Sequence, residues 1–266
     1  GDTVFYTPYK HNRISLWSSG EWKEYGFREI SFPAVLLSAG KVYDFFITSE
    51  SSSSNRSTGG SSGGGGSPVA LLPGPAWTTD IARAEVLGTV DGIYCKLGRP
   101  NWKYVGTART NATPLFVDSA SIRGVWNMYI RVLRSMSVTE ATGEWTYSTA
   151  TYRQANASVA NQLAFVRGLN EDAVTARVQG KSWSGSNNYG AVGIGLDATT
   201  VNSGHTYGAY TTGIPTHQFC QYNGYPGTGY HFLAWLEISG SGISTTFQSV
   251  TGAVPGKSGI VAEIMA

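Results

Sequence analysis

The residues of this chain best equipped for proton transfer are four histidines, His11, His205, His217 and His231, and a few neighbouring carboxylates. Glycoside cleavage needs two carboxyl groups flanking the bond, roughly 5 to 9.5 Å apart according to mechanism. Glu140 with Glu144, and Glu171 with Asp172, are pairs close enough in sequence to suggest it. Both lie in turn-like contexts, TEATGEW and LNEDAV, where acidic side chains cap turns or meet solvent. Serine-type hydrolysis needs a hydroxyl nucleophile, a histidine base and an orienting carboxylate. None of the histidines carries a local signature of it, and the NSGHTYG stretch around His205 lacks a nucleophile elbow. The GGSSGGGGS run lacks the lysine and the strand-to-helix setting of a phosphate-binding loop. Cys95 and Cys220 are far apart, match no metal-ligand spacing and read as small apolar residues. The expectation is a chain without a catalytic centre, a metal or a cofactor.

A different chemistry is written into three loop-like stretches that interleave Trp, Tyr, His, Asn and Gln with glycine: Ser182–Tyr189 (SWSGSNNY), His205–Tyr210 (HTYGAY) and His217–Tyr230 (HQFCQYNGYPGTGY). Aromatic faces stack on sugar rings, amides and imidazoles hydrogen-bond hydroxyls, and loops carried on a rigid sheet commonly hold binding residues. The candidate ligand-binding residues are Trp183, Asn188, Tyr189, His205, Tyr207, Tyr210, His217 and Tyr222. The competing reading packs these aromatics under loops or at a subunit contact. Arg123, Tyr129 and Arg131 invite a nucleic-acid reading, since aromatics beside cations hold single strands. A formal charge of only +2 argues against it and for a wetted face or a subunit contact.

The elements that must carry these residues read as strands. Thr3–Tyr9, Ile14–Trp17, Glu21–Phe27 and Val42–Thr48 are short aromatic and β-branched runs broken by turn residues, a meander in pattern. In Arg123–Arg134 (RGVWNMYIRVLR) the alternation predicts one long strand with Trp126, Met128, Ile130 and Val132 on its apolar face. Val174–Gln179 alternates Val174, Ala176 and Val178 against Thr175, Arg177 and Gln179. His231–Ile238 (HFLAWLEI) sets Phe232, Ala234, Leu236 and Ile238 on one face. Trp126, Ile130, Val178, Phe232 and Leu236 are therefore the expected core. Tyr189–Leu196, Thr245–Val250 and Gly259–Met265 add strands. Asp80–Leu87 (DIARAEVL) is the best helix candidate, with a strand as its alternative.

At 266 residues, with 12% aromatic and 14% charged residues and 34 glycines, the composition suits many short strands joined by tight turns, an all-β protein of one large or two small domains. No apolar run is long enough to span a bilayer, so membrane insertion is not expected. The chain opens Gly-Asp-Thr rather than with Met, which suggests a fragment or a processed product. The Ser/Gly run from Ser51 to Pro68 can join two strands of one hairpin or two domains, because loop-closure entropy grows only with the logarithm of length. Composition leaves that choice open.

Several segments, in order along nearly the whole chain, carry a resemblance: TVFYTPY, YDFFI, AWTTDIARAEVL with DGIYCKLG, YVGTART, VWNMYIRV, EWTYSTATYRQAN, NQLAFVRGLNEDAV, AVGIGLD, GYPGTGYHFLAWLE and SGIVAEIMA. Together they resemble a module common at the C-termini of tail-fibre and related virion proteins of tailed bacteriophages and prophages. In that family YDFFI is followed by a short turn and an apolar strand, which makes 49–67 an insertion in one hairpin. The domain boundary is placed near Thr107–Pro114 (TARTNATP), after which the long alternating strands begin, giving a small β-meander or sandwich domain over 1–108 and a larger, jelly-roll-like antiparallel β-sandwich over 109–266; the resemblance implies a place on the exterior of a virion. It implies a homotrimer whose partners are host-surface polysaccharide or another receptor and other virion proteins, with no role for nucleic acid. A structural capsid-decorating or tail-scaffold role and a polysaccharide depolymerase are the alternatives.

Overall fold

The computed structural model describes residues 1–49, 69–207, 209–211, 213–249 and 257–266, with 209–211 described by main chain alone. The fold is all-β, with only two single-turn 3-10 segments, Ala34–Leu36 and Ala155–Ala157, among those residues. No helix among them is long and apolar enough to cross a membrane.

The chain begins with β1 (Thr3–Tyr6), β2 (Arg13–Ser18), β3 (Glu21–Gly26) and β4 (Ile30–Pro33). These are not a simple meander: β2 and β3 form a hairpin nested inside the antiparallel pair of β1 with β4. Next come β5 (Val42–Thr48), β6 (Ala70–Ala76), β7 (Leu87–Val90), β8 (Ile93–Lys96) and β9 (Arg99–Arg109), forming a sheet in the order β6-β5-β9-β8-β7. β5 and β6 pair antiparallel up to Thr48 opposite Ala70, so the two strands flanking the Ser/Gly run are hairpin partners. Residues 50–68, most of that run, lie outside the described residues.

Alternation along β5 splits the middle sheet between two cores. Tyr43, Phe45 and Ile47 face the ribbons and pack with Leu16, Ile30 and Phe32, whereas Val42 and Phe46 face the remainder of the chain with Trp77, Tyr104 and Trp126. Two minor strands follow, β10 (Ile122–Arg123) and β11 (Val125–Asn127), and β11 joins the middle sheet by pairing with β9, Trp126 opposite Thr107.

The sandwich is built from β12 (Leu133–Thr139), β13 (Glu144–Tyr147), β14 (Arg153–Gln154), β15 (Gln162–Arg167), β16 (Val174–Trp183), β17 (Asn188–Leu196), β18 (His205–Tyr207), β19 (Ala209–Thr211), β20 (Thr216–Gly224), β21 (Gly229–Ser239), β22 (Thr245–Gln248) and β23 (Gly259–Met265). One sheet runs β10-β15-β21-β17-β19 with β14 on β21; the other runs β12-β23-β16-β20-β18 with β22 on β16 and β13 on β22. From β15 to β22 successive strands alternate between the two sheets, as in a jelly roll. Their inner faces meet in one core of Leu163, Phe165, Val178, Val192, Ile194, Leu233, Trp235 and Ile260. Trp145 lies edge-on to Trp235 and stacks on Phe247 across it.

Three expectations fail for identifiable reasons. Arg123–Arg134 is not one strand, because the Asn127 Oδ1 accepts the main-chain N–H groups of Tyr129 and Ile130 at 2.8 and 2.9 Å and turns the chain. Trp126 is buried at 1% exposure, but Ile130 is half-buried and Val132 exposed, and Met136 takes the core position beyond the turn. In HFLAWLEI the core side is Leu233 and Trp235; Ala234 and Leu236 are buried on the opposite face, beside β14 and Asn161, and Phe232 is only half-buried. Asp80–Leu87 is neither helix nor a full strand but an irregular loop, entering β7 only at Leu87, and its Arg83 reaches inward.

Trp126 fills the space where β11, β15 and the middle sheet meet, stacked on Tyr104 at 6.3 Å. Trp126→Ala is expected to cost about 3–5 kcal/mol in urea unfolding, as large aromatic truncations in cores do. Replacing 49–67 with Asn-Gly is expected to leave the unfolding midpoint within experimental scatter, since β5 and β6 already pair up to the ends of the run.

Candidate functional site

A half-buried strand shows one face to the core and the other to water, so the outer face of the β12-β23-β16-β20-β18 sheet follows from alternation. Along β16, Val174, Ala176 and Val178 point inward, leaving Thr175, Arg177, Gln179 and Lys181 outside. Along β20, Gln218, Cys220 and Tyr222 are buried, and His217, Phe219, Gln221 and Asn223 face outward. In β18 the Thr206 hydroxyl turns in to the Cys220 sulfur, 3.3 Å away, so His205 and Tyr207 stand on the solvent side.

Register then lines these side chains up in rows. His205 lies opposite Gln221, which lies opposite Arg177; Tyr207 lies opposite Phe219, which lies opposite Gln179; and His217 lies opposite Lys181. Adjacent strands are about 4.8 Å apart, so each row is a continuous strip. Beyond Arg177 the strip continues to Val261 and Ser137. There the face dips into a groove of about 370 Å³ lined by Ser135, Ser137, Thr175, Arg177, Val261 and Glu263. Arg177, Lys181 and Glu263 form no ion pairs among the described residues. The face thus offers an aromatic shelf, two amides, two imidazoles and unengaged cations beside a hydroxyl-lined groove.

Of the eight residues singled out from the sequence, His205, Tyr207 and His217 come together here, with Tyr207 at 74% exposure. Trp183 ends β16 on the same face but pairs towards Thr246 of β22 and is half-buried. Tyr189 belongs to the other sheet, with Tyr210 opposite it by main chain; the Tyr210 side chain lies outside the described residues. Two expectations are corrected. Asn188 is buried and its Nδ2 bonds to Ser239 Oγ, the Ile243 carbonyl and Thr245 Oγ1 within 3.1 Å, which leaves no amide donor for a ligand. Tyr222 is a core residue at 8% exposure, facing inward on β20. Sequence reasoning missed Phe219 and Gln221. The alternation in HQFCQYN held the signal, because 218, 220 and 222 are the inward set.

The groups suspected of chemistry are otherwise occupied. Glu140 accepts the Thr142 N–H at 2.9 Å and the Asn161 amide at 2.6 Å. Glu171 and Asp172 both clamp Arg131, at 2.9 and 2.5 Å. Arg123 bonds Asp118, and Tyr129 lies under Lys103, so these residues are tied into the chain. His231 Nδ1 meets Asp197 Oδ2 at 2.7 Å, but its buried Nε2, the atom a nucleophile would need, has no partner among the described residues. No cluster of three metal-ligating side chains occurs among them.

Two buried carboxylates were not anticipated. Asp44 accepts from Arg83 Nε at 2.8 Å, Thr107 Oγ1 at 2.6 Å and Trp77 Nε1 at 3.2 Å. Glu237 accepts from Trp145 Nε1 at 2.5 Å, Arg153 Nε at 2.7 Å and the Asn156 N–H at 3.2 Å. Both are surrounded by donors and closed to a substrate, which makes them structural. Burial raises the Glu237 carboxyl above its ordinary value, and the Trp145 and Arg153 contacts oppose it without cancelling it.

No protein family and no curated protein matches the chain. Among solved structures, the insecticidal delta-endotoxin Cry8Ea1 from Bacillus thuringiensis is 9% identical with a TM-score of 0.27, over 99% of this chain and 51% of that one. The infectious bursal disease virus Gx strain structure is 12% identical with a TM-score of 0.25, over 99% of this chain and 70% of that one. The chain spans about half the length of the first, and likenesses this slight carry no argument.

The Glu237 environment sets a sign for pH dependence. A carboxyl whose folded-state pKa is raised favours the folded state when protonated. That stability is complete below its ordinary value of 4.5 and is lost as pH rises from there through the folded-state pKa. In urea midpoints measured from about pH 4 to about pH 8, Glu237→Gln is expected to lose this component, so the wild-type-minus-variant difference should fall with rising pH. A flat difference would show that burial does not dominate at Glu237.

Proposed function

We propose that the chain is a fibre or spike module on the exterior of a virion, which recognises host-surface glycan through the outer face of the β18-β20-β16 region without catalysing a reaction. The observation that carries the reading is the convergence of His205, Tyr207, His217, Phe219, Gln221 and Gln179 on one solvent-facing strip. Aromatic rings there serve the apolar faces of pyranoses, and the amides and imidazoles serve hydroxyls. The resemblance of the ordered segments to bacteriophage tail-fibre modules supplies the virion context. An open sheet face gives modest affinity per site, and a homotrimer repeated on one particle converts weak sites into firm attachment.

A structural decorating role is the second reading. It is favoured by exposed apolar side chains away from the strip, notably Val86 and Leu97 beside β7 and β8.

The test is a glycan array and whole-cell binding with the labelled chain. Retention on a host-surface glycan is expected, with Tyr207→Ala lowering affinity about three- to tenfold, as loss of one stacking ring does. Binding to other virion proteins with none to any glycan would move the chain to the structural role. Release of reducing ends would move it to the depolymerases. Light scattering on the purified chain is expected to give three times the monomer mass, and a monomer at micromolar concentration would count against self-assembly.

A further inference from the structure

A second concave region lies on different elements, where the β1 end of the chain meets the segment leading into β12. It is a cleft of about 370 Å³, within the size range of small-molecule sites. One wall carries two aromatic side chains that water reaches freely, Phe5 at 58% and Tyr9 at 72% exposure. Single exposed aromatics need no explanation, but two on one wall of a polar cleft form a platform.

The other wall is polar and held in place. Arg123 donates from Nη1 to Asp118 Oδ2 at 3.1 Å and from Nη2 to the Ser135 carbonyl at 3.0 Å, which fixes its plane, while its buried Nε has no partner among the described residues. Asn127 spends its Oδ1 on the turn at Tyr129 and Ile130, leaving its Nδ2 donors without a hydrogen bond among those residues. Arg134 is exposed and forms no ion pair among them. Two arginines and one side-chain carboxylate, Asp118, which Arg123 already engages, line the cleft together with Val125, Ile130 and Ala266.

Aromatic platform, amide donor, carboxylate acceptor and an unengaged guanidinium are the complement of one ligand class. A pyranose ring has an apolar face for Tyr9 or Phe5 and hydroxyls for Asn127 and Asp118. The free Arg134 fork matches a carboxylate, which it can hold through two parallel hydrogen bonds. We infer that this cleft is a second saccharide site, taking an acidic sugar unit whose carboxylate sits on Arg134 and whose ring stacks on the Phe5–Tyr9 wall. The inference is independent of the glycan reading of the sheet face, from which it shares no residue.

The experiment is titration of the full chain, followed by nuclear magnetic resonance and calorimetry, with uronate- and sialate-bearing oligosaccharides and their carboxyl-reduced counterparts. At least one acidic member is expected to shift the Tyr9 and Asn127 side-chain resonances. Arg134→Gln should weaken its binding about tenfold, a change typical of losing a charge-assisted pair. Tyr9→Ala should weaken it severalfold, and Tyr207→Ala should leave it unchanged. The inference is overturned if no acidic member shifts those resonances at millimolar concentration, or if the carboxyl-reduced sugar binds equally well. Wild-type affinity in Arg134→Gln would also overturn it. Loss of acidic-sugar binding in Tyr207→Ala would place that ligand on the sheet face instead, overturning this site while sustaining the other.

Discussion

One buried carboxylate, Asp44 in the middle of β5, organises the junction between the middle sheet and the sandwich. It stands on the side of the middle sheet that faces the sandwich, where an apolar residue would be the ordinary choice, and it collects Trp77, Arg83 and Thr107. Arg83 then reaches across to the carbonyl of Gly168, in the turn between β15 and β16. One guanidinium therefore ties the irregular loop after β6, the middle sheet and the sandwich together. Gly168 has no alternative: a Cβ there would lie 2.0 Å from the Tyr104 hydroxyl and 2.4 Å from the Trp126 ring. Such a pair is weak evidence of net stabilisation, because desolvating both ions offsets much of their attraction. Removing one partner alone strands a buried charge, at a cost of about 3–5 kcal/mol. Its role here is specificity of docking, since an apolar contact would tolerate sliding and this one does not.

The sheet face is held from behind by a second polar arrangement. At one end of the sandwich core polar residues replace apolar ones: Asn188, Ser239 and Thr245 bond across the two sheets, and Gln218 donates to Ser182 in its own sheet and to the Gly190 carbonyl of the other. Glycine at 190 is what lets them meet, because a Cβ there would crowd Thr245, Ser182 and Gln218. Gln218 and Ser182 are on β20 and β16, each next in sequence to an outward residue of the strip, His217 and Lys181. Hydrogen-bond geometry is directional where apolar packing is not, so this network fixes the register that sets the strip. A recognition surface on an open sheet gains most when its side chains need little ordering on binding.

The sequence was most legible where one face of a strand is wet and the other dry. VTARVQ shows its inward and outward sets directly, and Arg177 and Gln179 of the strip were among the outward ones. Alternation misled in HFLAWLEI because β21 is covered on both faces, so apolar residues occupy both parities and neither marks the core. It misled in RGVWNMYIRVLR because one asparagine, by accepting two main-chain N–H groups, ends a strand that the pattern would continue. Aromatic and amide residues in glycine-rich stretches could not be sorted: Tyr207 and Tyr222 look alike in sequence, and only strand parity makes one a platform and the other core. The buried acids did leave a trace. Asp44 and Glu237 are lone carboxylates inside the apolar runs VYDFFIT and FLAWLE, and a charge there must find partners wherever the fold brings them.

The two candidate surfaces differ in the physics available to them. The strip is broad and open, its contacts remain in high dielectric, and charge contributes little there compared with stacking and hydroxyl recognition. In the cleft Arg123 is already oriented by Asp118 and the Ser135 carbonyl, whereas Arg134, the group assigned to an entering anion, is exposed and gains its order on binding. Among the described residues, neither arrangement places two unengaged carboxyl groups across one bond, as glycoside cleavage demands. On the proposed readings the two surfaces would hold a sugar chain at two places. If both readings hold, a polysaccharide long enough to reach both would bind within one chain, the second contact strengthened by the effective concentration the first creates.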